Sequence, residues 1–231
     1  MRRNRIFLCV TLALLLLFCG CRQAKAAASA DGGGFLRSAA FLGDSITAHM
    51  ASRAAVDKAQ VWAAKERYLN LDSRITYARI VAPDTGKEEP IAAVAARLRP
   101  KYLVVTLGLD YGVYYYRNDL ETFAKYYEKL LDALSAASPD TVILLQSIFP
   151  VTAASAAITN EMIDRANAVI REIAARRSLA YLDTQSVMRD ENGFLRAEYC
   201  GSADGIHLTE SAYEAILAYI AAFGAERGWT A

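Results

Sequence analysis

The chain has 231 residues, 54% of them apolar and 22% charged. That is enough for one medium α/β domain with a good core, and it excludes the disordered and solenoid-repeat classes. The formal net charge is +1, but the first 20 residues hold three arginines and no acid, so the remainder carries about −2; no basic stripe is left, which argues against a nucleic-acid partner.

Arg2, Arg3 and Arg5 precede an apolar run, Ile6–Cys19, that is too short to span a bilayer comfortably. The pair reads as a targeting signal. Phe18-Cys19-Gly20-Cys21 resembles the bacterial lipoprotein processing site. That likeness implies a signal peptide over 1–20, lipidation of Cys21, and an exported protein held on the extracytoplasmic side of the cell membrane. Residues 21–37, opening with an Ala- and Gly-rich stretch, read as a flexible tether, and 38–231 as the domain. With Cys9, Cys19 and Cys21 in the signal, Cys200 is the one cysteine left for the fold, so no disulfide framework is expected.

Apolar runs then alternate with helical patterns, the signature of a parallel sheet covered on both faces. The strands are expected at Ala39–Leu42, Ile75–Val81, Tyr102–Leu107, Thr141–Ile148 and Leu179–Asp183. Pro90 suits the first turn of a helix bearing Ile91, Val94 and Leu98, which Pro100 ends. Asn118 or Asp119 can cap a helix with Phe123, Tyr127, Leu130 and Leu134 at helical spacing. Thr159 and Thr209 can cap two more, the first burying Ala166, Ile170 and Ile173, the second Tyr213, Ile216, Leu217 and Ile220. Ala48–Arg74 reads as a helix followed by an irregular excursion that shapes a cleft.

The first strand runs into F-L-G-D-S-I-T (Phe41–Thr47), which sets Ser45 between a strand end and a helix N-terminus. Backbone N–H groups and the helix dipole at such a place favour a serine nucleophile and its oxyanion. The chain has two histidines. His207 follows Asp204 by three residues, a spacing that lets one loop present an imidazole with the carboxylate that orients it. His49 lies one helical turn after Ser45 with no such carboxylate, and is expected at the cleft rim. For Asp204 and His207 singly, the alternative is a capped helix start.

Phe41–Thr47 and D-G-I-H-L-T at Asp204–Thr209 together resemble the SGNH, or GDSL-like, hydrolase family. Leu145-Gln146-Ser147-Ile148-Phe149-Pro150 and Tyr181-Leu182-Asp183-Thr184 match phrases of one bacterial branch. The resemblance implies a three-layer α/β/α, flavodoxin-like fold with a five-stranded parallel sheet. It also implies Ser45 as nucleophile, His207 as base and Asp204 as the base's partner. The family's oxyanion hole takes the nucleophile's N–H, a glycine N–H after strand two and an asparagine after strand three. Here Asp110 stands at the asparagine's place, and Pro83, with no N–H, or a shifted Gly86 at the glycine's. An ionised Asp110 would repel an oxyanion; a protonated one would donate to it. Tyr111 and Tyr114–Tyr116 follow strand three and are candidates to wall the cleft or stack on a sugar, as is Trp62; packing onto the domain is the alternative.

The expectation is a serine esterase acting on small acyl esters of O-acetyl type, carried on carbohydrate or cell-envelope glycan, with no cofactor and no metal. Two alternatives stand beside it: an O-acyltransferase using the same triad, and a non-catalytic glycan-binding lipoprotein whose oxyanion hole has degenerated.

Overall fold

The computed structural model describes residues 34–54 and 56–231. The expected signal segment, Cys21 and most of the expected tether lie outside them. In chain order the elements are β1 (Ala39–Gly43), α1 (Ser45–Arg53), β2 (Val61–Trp62), β3 (Arg79–Val81), β4 (Glu88–Pro90), α2 (Ile91–Leu98), β5 (Tyr102–Thr106), α3 (Leu120–Ala137), β6 (Val142–Gln146), α4 (Asn160–Arg176), β7 (Ala180–Leu182), α5 (Gln185–Met188) and α6 (Glu210–Glu226). β1 and β5 are buried at every residue, which is why they read as unbroken apolar runs.

The main sheet is parallel throughout, in the order β2-β1-β5-β6-β7. Helices α2, α3 and α4 pack in series in one layer, while α1 and α5 pack with α6 in the other. This is the expected three-layer, flavodoxin-like arrangement. Its strand order reverses between β1 and β5, and the crevice outside the C-terminal ends of those strands is where such sheets take ligands. Ser45 follows the first of them.

The predicted caps form. Asp119, Thr159 and Thr209 accept hydrogen bonds from the N–H groups of Thr122, Met162 and Ala212. Each satisfies a donor that the first helical turn leaves without a backbone acceptor. Pro90 stands at the N-cap of α2, and Arg99, in the left-handed conformation just before Pro100, at its C-cap.

Three expectations are corrected. Ile75–Val81 is not the second strand of the main sheet: Ile75–Tyr77 is a 3-10 turn, and β3 pairs antiparallel with β4 in a small hairpin. Ile75 and Ile80 are buried, which produced the apolar signal, but they are buried beneath an excursion. The edge position belongs to β2, whose two residues are too few for a period to show. Trp62 is therefore a core residue, 1% exposed, and not a cleft wall. The tether also ends earlier than residue 37. Residues 34–37 are helical, and Phe35 is fully buried, its ring 4.6 Å from that of Tyr102 and 5.4 Å from that of Trp229.

Candidate active site

Ser45 is the first residue of α1 and is 6% exposed. The turn that places it is tight because Gly43 lies against β5 with no room for a side chain. Ser45, Ile46 and Thr47 are in the first turn, where N–H groups lack intrahelical acceptors and the dipole is positive.

The histidine arrives from the other end of the chain on a braced loop. Gly201 N–H donates to His207 O at 2.7 Å and Thr209 N–H to Tyr199 O at 3.0 Å, bracketing the residue between two short extended segments. Gly205 has φ +77°, and a side chain there would meet Thr152 Oγ1 at 2.4 Å and Ser155 N at 2.9 Å. Only glycine lets this loop close on the segment after β6, where Thr152 N–H donates to Gly205 O at 2.9 Å. Two further bonds tie α1 to this region. Arg53 Nη1 donates to Leu208 O at 2.8 Å, and the buried Tyr213 hydroxyl of α6 donates to Ile46 O at 2.7 Å.

These braces bring the predicted trio together. His207 Nδ1 donates to Asp204 Oδ2 at 2.7 Å, which leaves Nε2 as acceptor, 3.3 Å from Ser45 Oγ. Desolvation raises the Asp204 pKa; bonds from the Ser202 hydroxyl, Ile206 N–H and His207 outweigh it and hold the carboxyl well below the usual range. Asp204 is thus an anion fixed in place, able to stabilise an imidazolium. Ser202 was missed by sequence reasoning. Its hydroxyl donates to Asp204 Oδ1 and accepts from His207 N–H at 3.2 Å, so it braces both residues. Only its closeness to Asp204 in the chain could have pointed to it.

Beneath the site runs a buried polar ladder. Thr106 Oγ1 donates to Gln146 Oε1 at 2.6 Å, and Gln146 Nε2 to Thr184 Oγ1 at 3.0 Å; the Ser147 and Thr184 hydroxyls lie 3.1 Å apart. The Gln146-Ser147 and Thr184 phrases therefore act by locking the ends of β5, β6 and β7. They do not reach the reacting atoms.

The oxyanion surroundings depart from expectation in one respect. Gly86 sits in the β3–β4 turn with φ +69°, and its N–H donates to Ala82 O at 2.8 Å. That N–H is engaged in its own turn, so Gly86 is removed from the candidate donors. Pro83 lies in the same turn, between β3 and β4. Asp110 belongs to a π-type turn, Leu109–Val113, entered through Gly108 at φ +119°; the Asp110 side chain lies outside the described residues. Cys200 is half-buried, and its thiol donates to Ser202 O at 3.2 Å, a structural position.

Past β5 the tyrosines divide. Tyr116 turns against Tyr126 of α3, ring centroids 5.9 Å apart. Tyr111 meets Tyr68 edge-on at 5.7 Å and stacks on Tyr115 at 5.5 Å; Tyr115 meets Tyr114 at 5.9 Å. Tyr68, Tyr114 and Tyr115 are exposed. Tyr111 and Tyr114 thus belong to a continuous aromatic surface, to which Tyr68 is an addition the sequence did not announce. Among the described residues, no three His, Cys, Asp or Glu side chains group as metal ligands.

His49 stands beside His207, ring centroids 4.9 Å apart, and its Nε2 accepts from Arg67 Nη1 at 2.8 Å. Burial, and then the positive charge of His207, Arg53 and Arg67, pull its pKa from 6.5 down to about 4. Between those values the unfolded chain holds a proton at His49 that the folded chain does not. Stability is therefore fully present above 6.5 and falls as pH drops toward 4. We expect His49→Gln to lose less Tm than the wild type between about pH 7 and about pH 4.5, measured by thermal melts. Equal losses would mean His49 is not held neutral.

A model of the GDSL-like Lipase/Acylhydrolase family matches residues 41–215. A search of curated proteins gave no match. Among solved structures, a Bacteroides fragilis protein provisionally described as an acylhydrolase is 15% identical, with 82% of this chain and 86% of that one covered and a TM-score of 0.52. A Streptococcus pneumonia protein provisionally described as a platelet activating factor is 22% identical (53% and 59% covered, TM-score 0.47). A carbohydrate esterase family 3 structure from Talaromyces cellulolyticus is 18% identical (59% and 63% covered, TM-score 0.45). This chain spans less than two thirds of the length of the last two. The Bacteroides likeness is one of fold.

Proposed function

Because the chain belongs to the GDSL-like lipase/acylhydrolase family, we propose that it is a serine esterase that removes small, O-acetyl-type acyl groups from carbohydrate or cell-envelope glycan. The observation that carries this reading is the chain of contacts from Ser45 Oγ through the His207 ring to Asp204, 3.3 Å and 2.7 Å long. The first is loose for a hydrogen bond, as such bonds often are before substrate binds.

The steps follow from those atoms. Ser45 Oγ attacks the ester carbonyl as His207 Nε2 takes its proton, and Asp204 stabilises the imidazolium that results. The tetrahedral oxyanion forms beside the Ser45 N–H and the positive end of α1. Collapse expels the alcohol, which leaves with the proton from Nε2. Water then attacks the acyl-enzyme, with His207 acting again as base, and Ser45 is released. A sugar hydroxyl in place of that water would make the same steps an acyl transfer. The exposed Tyr68–Tyr111–Tyr115 surface supports a sugar-bearing alcohol, since aromatic faces stack on the apolar faces of sugar rings. Export and tethering through Cys21 belong to the proposal and rest on the first 21 residues.

A panel of chromogenic esters of increasing acyl length tests the reading, with acetyl expected to be turned over fastest. A second reading, a glycan-binding protein without activity, is favoured by the engaged Gly86 N–H and by an aspartate where the family pattern has asparagine. Asp110→Asn exchanges an acceptor for a donor at that place in the chain. We expect it to raise kcat with little change in KM, by up to the ~10²-fold that one oxyanion donor supplies. A fall in kcat would mean that the carboxyl itself takes part.

A further inference from the structure

A cavity of about 390 Å³ opens between Ala48 and Ala51 of α1, Ala63 after β2, and the Ala82–Gly86 turn. Its lining includes three cations, Lys58, Lys65 and Arg67, and no acid. Asp84, in the turn beside it, is held by Arg97 through two bonds of 2.8 Å and 3.0 Å and does not line the cavity. Asp57 and Glu66 flank the cations in sequence and do not line it either.

Arg67 links this cavity to the triad. It lines the cavity, and its guanidinium donates to His49 Nε2, whose ring lies against that of His207. Arg67 also has φ +63°, a conformation that costs a non-glycine residue free energy and that is kept where surroundings or function require it. An uncharged His49 accepts this bond without opposing the guanidinium. The remaining N–H groups of Arg67 match a carboxylate or phosphate fork.

We propose that this cavity is an anion subsite of the catalytic cleft, and that Arg67, positioned by His49, holds a carboxylate or phosphate on the alcohol part of the ester. The proposal rests on the esterase reading and narrows its substrate class to acylated anionic sugars. The alcohol part is indicated because His207 protonates the departing alcohol, and Arg67 approaches from the histidine end of the triad. Three cations without a lining acid set a positive potential there, which raises the local concentration of anions and falls with added salt.

The test compares acetyl esters of methyl glucoside, its uronic acid and its phosphate, all acetylated at the same hydroxyl. Wild type should favour at least one charged ester over the neutral one in kcat/KM by about tenfold or more, the scale of one charge-assisted contact. The ratio should shrink with salt, fall toward one in Arg67→Gln, and survive in part in Arg67→Lys. Which charged ester leads identifies carboxylate or phosphate as the group read. Equal rates for all three, or a ratio unchanged in Arg67→Gln of wild-type Tm, would overturn the proposal and leave the esterase reading intact. Calorimetric binding of free methyl glucuronoside and methyl glucoside phosphate to Ser45→Ala is independent of turnover. Binding there that Arg67→Gln removes supports the subsite even if no ester is cleaved, and no binding of either overturns it.

Discussion

Ser45→Ala is expected to lower kcat on a chromogenic acetyl ester by about 10³- to 10⁶-fold, the range in which loss of a triad nucleophile falls. The same substitution should leave stability within about 0.5 kcal/mol. Both halves come from the geometry. The backbone N–H at the start of α1 stays, alanine is a good residue within a helix, and the lost contact to His207 is a loose one of 3.3 Å. What disappears is the oxygen that faces His207 Nε2. Asp204→Asn should cost about 10⁴-fold, since an amide neither selects the Nδ1–H tautomer as firmly nor balances the imidazolium. Wild type and Ser45→Ala giving equal rates across all acyl lengths would falsify the esterase reading and leave the glycan-binding one. Tm measured on the same samples separates loss of chemistry from loss of fold.

How much of this was legible beforehand varied with the physics. The buried parallel strands β1, β5 and β6 read directly, because a strand covered on both faces is an unbroken apolar run. The caps at Asp119, Thr159 and Thr209 read as well, because a side-chain acceptor before a periodic stretch has one obvious use. β2 did not, since two residues carry no period and their place at the edge is set by pairing with β1. In the site, Ser45, Asp204 and His207 stood in recognisable strings, whereas Ser202, Arg53 and Arg67 act through contacts made by folding. Gly86 could serve as a donor only through a shifted loop, and its N–H is instead taken up by its own hairpin turn.

Gly43→Ala is the second large effect, and it falls on the fold that serves the site. Gly43 is paired in register with Thr106, and a Cβ there would lie 2.3 Å from the Thr106 carbonyl oxygen and 2.1 Å from Thr47 Oγ1. A rotated Thr47 would remove only its hydroxyl, since its Cβ is itself 2.9 Å away, and the Thr106 oxygen is backbone of the central strand. The added methyl must therefore part β1 from β5 or lift α1. Either motion displaces Ser45, two residues on, from His207. Overpacking a core ordinarily costs about 1–3 kcal/mol; a clash with fixed backbone belongs at or above the top of that range. In a domain of this size about 3 kcal/mol corresponds to a Tm loss of about 6–12 °C. Gly86→Ala is the control: its φ of +69° is strained for alanine, but nothing lies within 4 Å, so only about 1 kcal/mol is at stake. Thr47→Ala added to Gly43→Ala should recover part of the loss and not all of it, because the Thr106 oxygen remains. A Gly43→Ala protein as stable as Gly86→Ala would mean that β1, β5 and α1 are not packed as closely as the turn before Ser45 requires.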